Sequence, residues 1–388
     1  MPTDPNRPLR LGFPVKVMGK PGLKANDTRR WQKGPHLKCS LEHVDAILDH
    51  LAANKLDMYR LSSDLAPYAT HPDMPQFHSM VEESDAELAA FGRKARALDI
   101  RLSFHPSQYV LLNSHDPALT KKSIWDLASQ AEMLDRMGLD DHAVMVTHVG
   151  GVYGDHPSAR ARWIAGWEQC PDHVKRRLVL ENDDIRFSAA DVLWIHERTG
   201  VRLIFDYQHF WCLNPERLEL RPTLERFLET WPEGVRPKIH FSSPRTELRE
   251  VKRQITPKQR AAAKAGTGKA RKGEVTSAPV KAGARVKTVL VPPIWTGHSD
   301  FTNPFEFATF MRMAAGLEFD VMMEGKAKDL SILKLRPDLL RFAPDVAARF
   351  GIFPDDAAAL AADEQRLEQG AAAEEEPDVD EGELLAAE

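Results

Sequence analysis

The sequence predicts an α/β fold of the (β/α)8, TIM-barrel type, and three observations carry that prediction. Eight short apolar or β-branched runs recur along the chain, stretches of helical periodicity separate them, and no Gly-rich nucleotide turn follows the first run. Eightfold strand–helix alternation suits a closed barrel better than an open sheet, and the missing turn removes the main signature of the open alternative.

The first strand is expected over 9–14 (LRLGFP) and the second over 57–62 (DMYRLS), with a helix over 40–54 between them. A helix over 85–98 leads to the third strand, 100–105 (IRLSFH), and one over 124–137 to the fourth, 143–148 (AVMVTH). The fifth is expected over 178–182 (LVLEN), and a helix over 189–199 precedes the sixth, 202–207 (RLIFDY). The seventh spans 237–241 (PKIHF), and a helix over 303–315 precedes the eighth, 320–325 (DVMMEG). Short apolar runs of this kind suit strands buried on both faces.

The barrel domain is therefore placed over 8–345, and two segments stand outside its pattern. Over 245–288 there are 13 basic and three acidic residues, a local net of +10. Within it, 254–287 is rich in Ala, Lys, Arg and Gly and almost free of large apolar side chains, so a flexible basic insert after the seventh strand is expected. The segment 354–388 is expected to be a disordered acidic tail, with 13 acids from 355 onward against Arg366 alone. A net charge of -5 thus hides a strong asymmetry. No apolar run approaches the roughly 18 residues of a membrane span. The N-terminus MPTDPNRPLR lacks a signal-peptide pattern, and Cys39, Cys170 and Cys212 share no CxxC spacing. The expectation is a cytoplasmic chain with no membrane partner. No heptad pattern points to an obligate protein partner.

The chemistry lies at the strand ends. His105 ends the third strand, His148 the fourth, and Glu181 lies near the end of the fifth. Asp206 ends the sixth with His209 three residues on, His240 belongs to the seventh, and Glu324 falls at the end of the eighth. His71 follows the second strand, and His298 sits in the loop before the last helix–strand unit. In a barrel these positions share the C-terminal rim, where catalysis occurs. Six imidazoles and three carboxylates converging there are naturally satisfied by metal coordination. Imidazole and carboxylate without thiolate suit Zn, Mn or Fe(II) better than Mg or Ca. Nine candidate ligands exceed the needs of one tetrahedral ion and fit two or three, a grouping that favours in-line displacement at phosphorus. Any single histidine has a plainer explanation as a structural residue, and Asp206 could cap the next helix. The joint pattern is much harder to explain that way. Lys238 lies two residues before His240 and so shares its face. It reads as a phosphate-binding cation, as a base with a depressed pKa, or as a strand-start lysine reaching out to solvent.

In their order these residues resemble the UV damage endonuclease family, whose members nick DNA immediately 5′ of a UV photoproduct. The similar segments are RLSSDLAPYATHP (60–72), SFHPSQYVLLNS (103–114), THVGGVYGD (147–155), LVLENDD (178–184), IFDYQHFWCLN (204–214), PKIHFSSPR (237–245), GHSDF (297–301) and MMEGKAKD (322–329). The resemblance implies a metal-dependent TIM barrel related to endonuclease IV. It implies two or three divalent ions, Mn2+ first with Zn2+ or Fe2+ as alternatives, on His71, His105, His148, Glu181, Asp206, His209, His240, His298 and Glu324. It implies catalytic roles for Glu181 and Glu324 as bridging or orienting carboxylates. Lys238 would stabilise charge or, if carboxylated, ligate. Gln108 and Tyr109 match the family's pair that inserts at the damaged dinucleotide; an amide beside a ring can fill the gap left by flipped bases. The implied partner is damaged double-stranded DNA, which would draw a cytoplasmic enzyme to the nucleoid.

The sequence also departs from the family. Better-known members carry a tyrosine and, four residues later, an asparagine in the first βα loop; this chain has Phe13 and Val17, which puts lesion preference in doubt. That loop, 16–38, holds seven basic residues, Asp27 as its one acid, and Trp31. Phe13, Arg29, Arg30 and Trp31 are accordingly candidate DNA contacts. The basic insert would add sequence-independent phosphate contacts, and the acidic tail could compete with DNA for it. Two rival enzyme readings are a metal-dependent sugar isomerase of the same superfamily, which predicts a small closed pocket, and an abasic-site endonuclease without photoproduct preference. A non-enzymatic DNA-binding architectural protein would require a broken ligand set, and no member is missing here.

Overall fold

The computed structural model describes residues 7–254 and 286–356. Its strands are β1 (Leu11–Pro14), β2 (Met58–Arg60), β3 (Arg101–Ser103), β4 (Met145–Thr147), β5 (Leu178–Glu181), β6 (Arg202–Ile204) and β7 (Lys238–Phe241), then β8 (Arg249–Gln254), β9 (Val286–Val291) and β10 (Asp320–Met323). Parallel pairing runs β3-β2-β1-β10-β7 in one arc and β4-β5-β6 in the other. Bridges from Phe104 to Met145 and from Asp206 to His240 join the arcs. The sheet therefore closes as the predicted (β/α)8 barrel. Each barrel strand is shorter than its apolar run.

Among the described residues, one compact unit runs to Ser243 and resumes at His298, and a second lies between Pro244 and Gly297. The first holds the barrel. The second contains the antiparallel hairpin of β8 and β9, with Arg249 opposite Val291 and Gln254 opposite Val286. The hairpin therefore reaches into both ends of the predicted basic insert. Residues 255–285 of that insert, and the acidic tail from 357, lie outside the described residues.

Local signals set the helices. His36 caps Leu37–Ala53 by accepting from Lys38 N. Asp116 caps Pro117–Arg136, so this helix starts earlier than its apolar periodicity suggested. Ala189–Thr199 lies between a Ser188/Asp191 capping box and Gly200 at φ 69. The sixth run was predicted to stay extended through Tyr207, but the helix Tyr207–Cys212 begins there, capped by Asp206. No helix among the described residues is long and apolar enough to cross a membrane.

The period of two along each strand divides the barrel into layers. Phe13, Tyr59, Leu102, Leu180, Leu203, Ile239 and Val321 belong to the large core shared with the helices. Their neighbours Val144, Val146, Val179 and Ile204 form a separate cluster with Trp231, in the inward row. At the N-terminal end of the strands Arg101 pairs with Asp320 at 2.8 Å, both buried. Two residues at a time, the inward rows climb from there to the rim: Ser103 to His105, Val146 to His148, Val179 to Glu181, Ile204 to Asp206, Lys238 to His240, Met322 to Glu324.

Candidate metal centre

Glu181 is the hub of the rim. Its Oε1 lies 2.8 Å from His240 Nδ1 and 3.7 Å from His209 Nδ1. Its Oε2 lies 3.4 Å from His105 Nε2 and 3.7 Å from His148 Nε2. Among the described residues, three sets of side chains bring one donor atom each within 4.8 Å of one another: His105, His148 and Glu181; Glu181, Asp206 and His209; Asp206, His240 and Glu324. Glu181 and Asp206 are each shared by two sets, the arrangement bridging carboxylates require.

A test of fit comes from atoms left over by hydrogen bonding. Among the described residues, buried Glu181 Oε2, Asp206 Oδ2 and His240 Nε2 have no hydrogen-bond partner, a costly state for polar groups taken out of water. Asp206 divides its oxygens: Oδ1 accepts from His209 N at 2.7 Å and caps the helix Tyr207–Cys212, while Oδ2 remains open. The cap and the candidate ligand are thus one residue. With imidazole and carboxylate donors and no thiolate, the set fits divalent zinc, manganese or iron.

The electrostatics prepare three of the imidazoles as ligands. Burial pushes His148 and His298 down to about 4, and lowers His240 too. These rings are neutral and offer lone pairs. Burial pushes the Glu181 carboxyl up, but the imidazoles of His240 and His148 outweigh it and hold the group well below the ordinary range. Burial lifts Asp206 to about 7 despite His209. His209, although burial opposes it, is raised to about 10 by Asp206 and Glu181.

Several residues that sequence reasoning missed orient the ligands. Arg60 donates to Glu324 Oε1 at 2.5 Å. Asn182 accepts from Asp206 N at 2.9 Å and donates to Asp206 O at 3.1 Å, and its own carbonyl lies 3.0 Å from His209 Nδ1. The Ser242 hydroxyl donates to Gln208 Oε1. Its only hydrogen is thereby committed, so it accepts from His298 Nδ1 at 2.6 Å. That fixes the tautomer of His298 and leaves Nε2 bare, 3.9 Å from Glu324 Oε2. The signal for Arg60 and Ser242 was available: each continues the alternation of an inward row.

Other predicted residues are placed as follows. His71 lies in the β2 loop, where its Nδ1 accepts from Asp73 N at 3.3 Å, outside the three candidate sets. His298 adjoins Glu324 but is also outside them. Lys238 is fully buried, so it does not reach out to solvent. Its Nζ donates to Ser103 Oγ at 3.2 Å, and burial with Arg101 and Arg60 nearby holds it well below the ordinary lysine range. Tyr109 is 66% exposed and Gln108 half-buried on the loop that follows His105. Trp31 and Arg30 are exposed, whereas Arg29 is engaged by Asp27 at 2.6 Å. Phe13 requires a correction. It faces the helices, wholly buried, with its ring 5.4 Å from that of Tyr59, and presents no surface to DNA.

Known proteins resemble this chain over most of its length. A family described as UV-endonuclease UvdE matches residues 36–347. A UV DNA damage endonuclease of Bacillus mycoides is 35% identical over 306 residues, covering 76% of this chain and 79% of that protein. A UV DNA damage endonuclease of Bacillus velezensis is 35% identical over 211 residues, 54% of this chain; the match spans 65% of that relative, just under two thirds of its length. Among solved structures, that of SacUVDE superposes with a TM-score of 0.64 at 27% identity, covering 86% of this chain and 98% of the other.

Proposed function

Because the chain belongs to the UV-endonuclease UvdE family, we propose that it is a metal-dependent DNA repair endonuclease that nicks duplex DNA immediately 5′ of UV photoproducts. The observation that carries this reading is the convergence of four imidazoles on Glu181, with three buried donor atoms left unsatisfied beside them. His105, His148, Glu181, Asp206, His209, His240 and Glu324 would hold two or three ions, Mn2+ first, with His71 and His298 completing the set. Such ions supply Lewis acidity toward the scissile phosphate and a more acidic water.

The chain's own residues do the rest. Glu181 and Asp206, each shared by two of the candidate sets, would hold the metal, Arg60 keeps Glu324 turned inward, and Ser242 aims His298. Lys238, buried beneath the ligands and donating to Ser103, would stabilise charge or, if carboxylated, ligate. Gln108 and Tyr109 enter the duplex where a distorted dinucleotide unstacks at low cost.

A nicking assay tests this on one duplex carrying a single cyclobutane dimer, with Mn2+ or EDTA, for wild type and Glu181→Gln. The expected result is a nick immediately 5′ of the dimer with Mn2+ alone, lost in the variant. No nick at the dimer, but cleavage of an abasic duplex, would replace photoproducts with abasic sites as the substrate.

A further inference from the structure

The loop after β4 carries an aromatic ring whose conformation the fold does not account for. Tyr153 has φ 53, in the left-handed region that bulky residues avoid. Tyr68 is in a similar state at φ 61, but it packs against the core and lies 5.5 Å from Phe77. Tyr153 is not buried in that way, since 42% of it is exposed. Strain without burial is a feature of sites that hold a side chain ready for a ligand.

The ring is also built into place. A Cβ on Gly151 would fall 2.8 Å from two of its carbons, so the ring lies directly against that glycine. His115 meets the ring edge-on at a centroid distance of 4.8 Å, and the Arg162 guanidinium lies 5.4 Å from its centre. The loop itself is moored to the segment that follows Gln108 and Tyr109: Asn113 Nδ2 donates to Gly151 O at 2.8 Å, and Arg162 Nε donates to Asn113 O at 3.0 Å. Five residues before Tyr153 the same chain supplies His148 to the metal cluster. A clamped, exposed ring therefore stands on the rim loop next to the one that carries Tyr109.

We infer that Tyr153 is a second stacking residue for DNA, presenting its ring to an unstacked nucleobase of the lesion-bearing duplex beside the Gln108–Tyr109 pair. The inference rests on the DNA-repair reading of the rim. Base–aromatic stacking is tolerant of sequence and nearly independent of salt, unlike phosphate contacts. Arg162 and His115, both against the ring, then serve to hold it rather than to bind phosphate.

The test uses the full chain and the dimer duplex, measuring nicking kinetics with Mn2+ and binding by anisotropy in EDTA at several salt concentrations. For Tyr153→Ala the expected result is a KM and Kd raised about tenfold, kcat within about twofold, and an unchanged slope of log Kd against log salt. Tyr153→Phe, which keeps the ring, should match wild type. Tyr153→Leu replaces the alanine variant if that one fails to fold. Wild-type behaviour of the ring-less variants, or an equal loss in Tyr153→Phe, rejects the inference while leaving the DNA-repair reading intact. A wild type that neither binds nor nicks the dimer duplex removes that reading, and the inference with it.

Discussion

Ser242 decides which nitrogen of His298 is available. Because its single hydrogen goes to Gln208 Oε1, the imidazole must donate from Nδ1 and keep Nε2 unprotonated. Removing the hydroxyl frees the ring to change tautomer and to turn. Ser242→Ala should therefore weaken metal binding by about ten- to a hundredfold, the usual cost of losing a partner behind a ligand, and Ser242→Thr should restore it. A calorimetric titration with Mn2+ checks this, and superimposable isotherms for Ser242→Ala and wild type would refute it. The same residue shows what the sequence made legible. The rim histidines and acids could be found from strand ends alone, while Ser242 needed the alternation of β7 to be followed one step past Phe241. Phe13 marks the reverse error. Its place where family members carry a tyrosine suggested DNA, but the period of two turns it toward the helices, and the register of β1 against β2 decides which way an odd position faces.

Among the elements, the first βα loop is held by one acid. Asp27 is nearly fully buried, takes two donors from Arg29 at 2.8 and 2.6 Å, and accepts from His36 N at 3.0 Å, just where the helix Leu37–Ala53 begins. Its backbone N–H donates to Ser40 Oγ at 2.9 Å. The Arg29 side chain, followed by these backbone donors, overcomes burial and holds the Asp27 carboxyl well below the usual carboxylate range. A depressed carboxyl stabilises the fold above the unfolded-state value near 4, and that contribution is lost as pH falls through the lower folded-state value. Wild type should therefore lose stability below about pH 4 more steeply than Asp27→Asn, which should be weaker at neutral pH and flatter in acid. Denaturant midpoints from pH 7 to pH 2.5 measure it; parallel curves would show that Asp27 only fills space. The loop's seven basic residues were conspicuous in the sequence, but that its single acid pins one of them was not, since pairing between residues two apart depends on a backbone path that composition does not reveal. The helix Tyr207–Cys212 was hidden for a related reason: RLIFDY is apolar enough to read as strand throughout, and only the cap geometry at Asp206 ends it.

For the molecule as a whole, the barrel interior runs from a buried ion pair at one end of the strands to a cluster of ligand-type groups at the other. At the N-terminal end of the strands Arg101 and Asp320 pair at 2.8 Å. At the rim, Glu181, Asp206 and His240 keep buried atoms without hydrogen-bond partners, so folding there bears a desolvation cost that the protein alone does not recover. A cation bound by the folded state and not by the unfolded chain would offset that cost by mass action, about 2.7 kcal/mol at a hundredfold excess over Kd. On a chain of this size that corresponds to roughly 3–4 °C in Tm. EDTA should therefore lower the Tm of wild type by about that amount, and readdition of Mn2+ should restore it. Glu181→Gln keeps the shape of the hub but loses its charge, and should melt at one temperature with or without chelator. A wild-type Tm indifferent to EDTA and Mn2+ would mean that the rim donors are satisfied without an ion, and the metal-dependent reading would lose its physical basis even if a nick were observed.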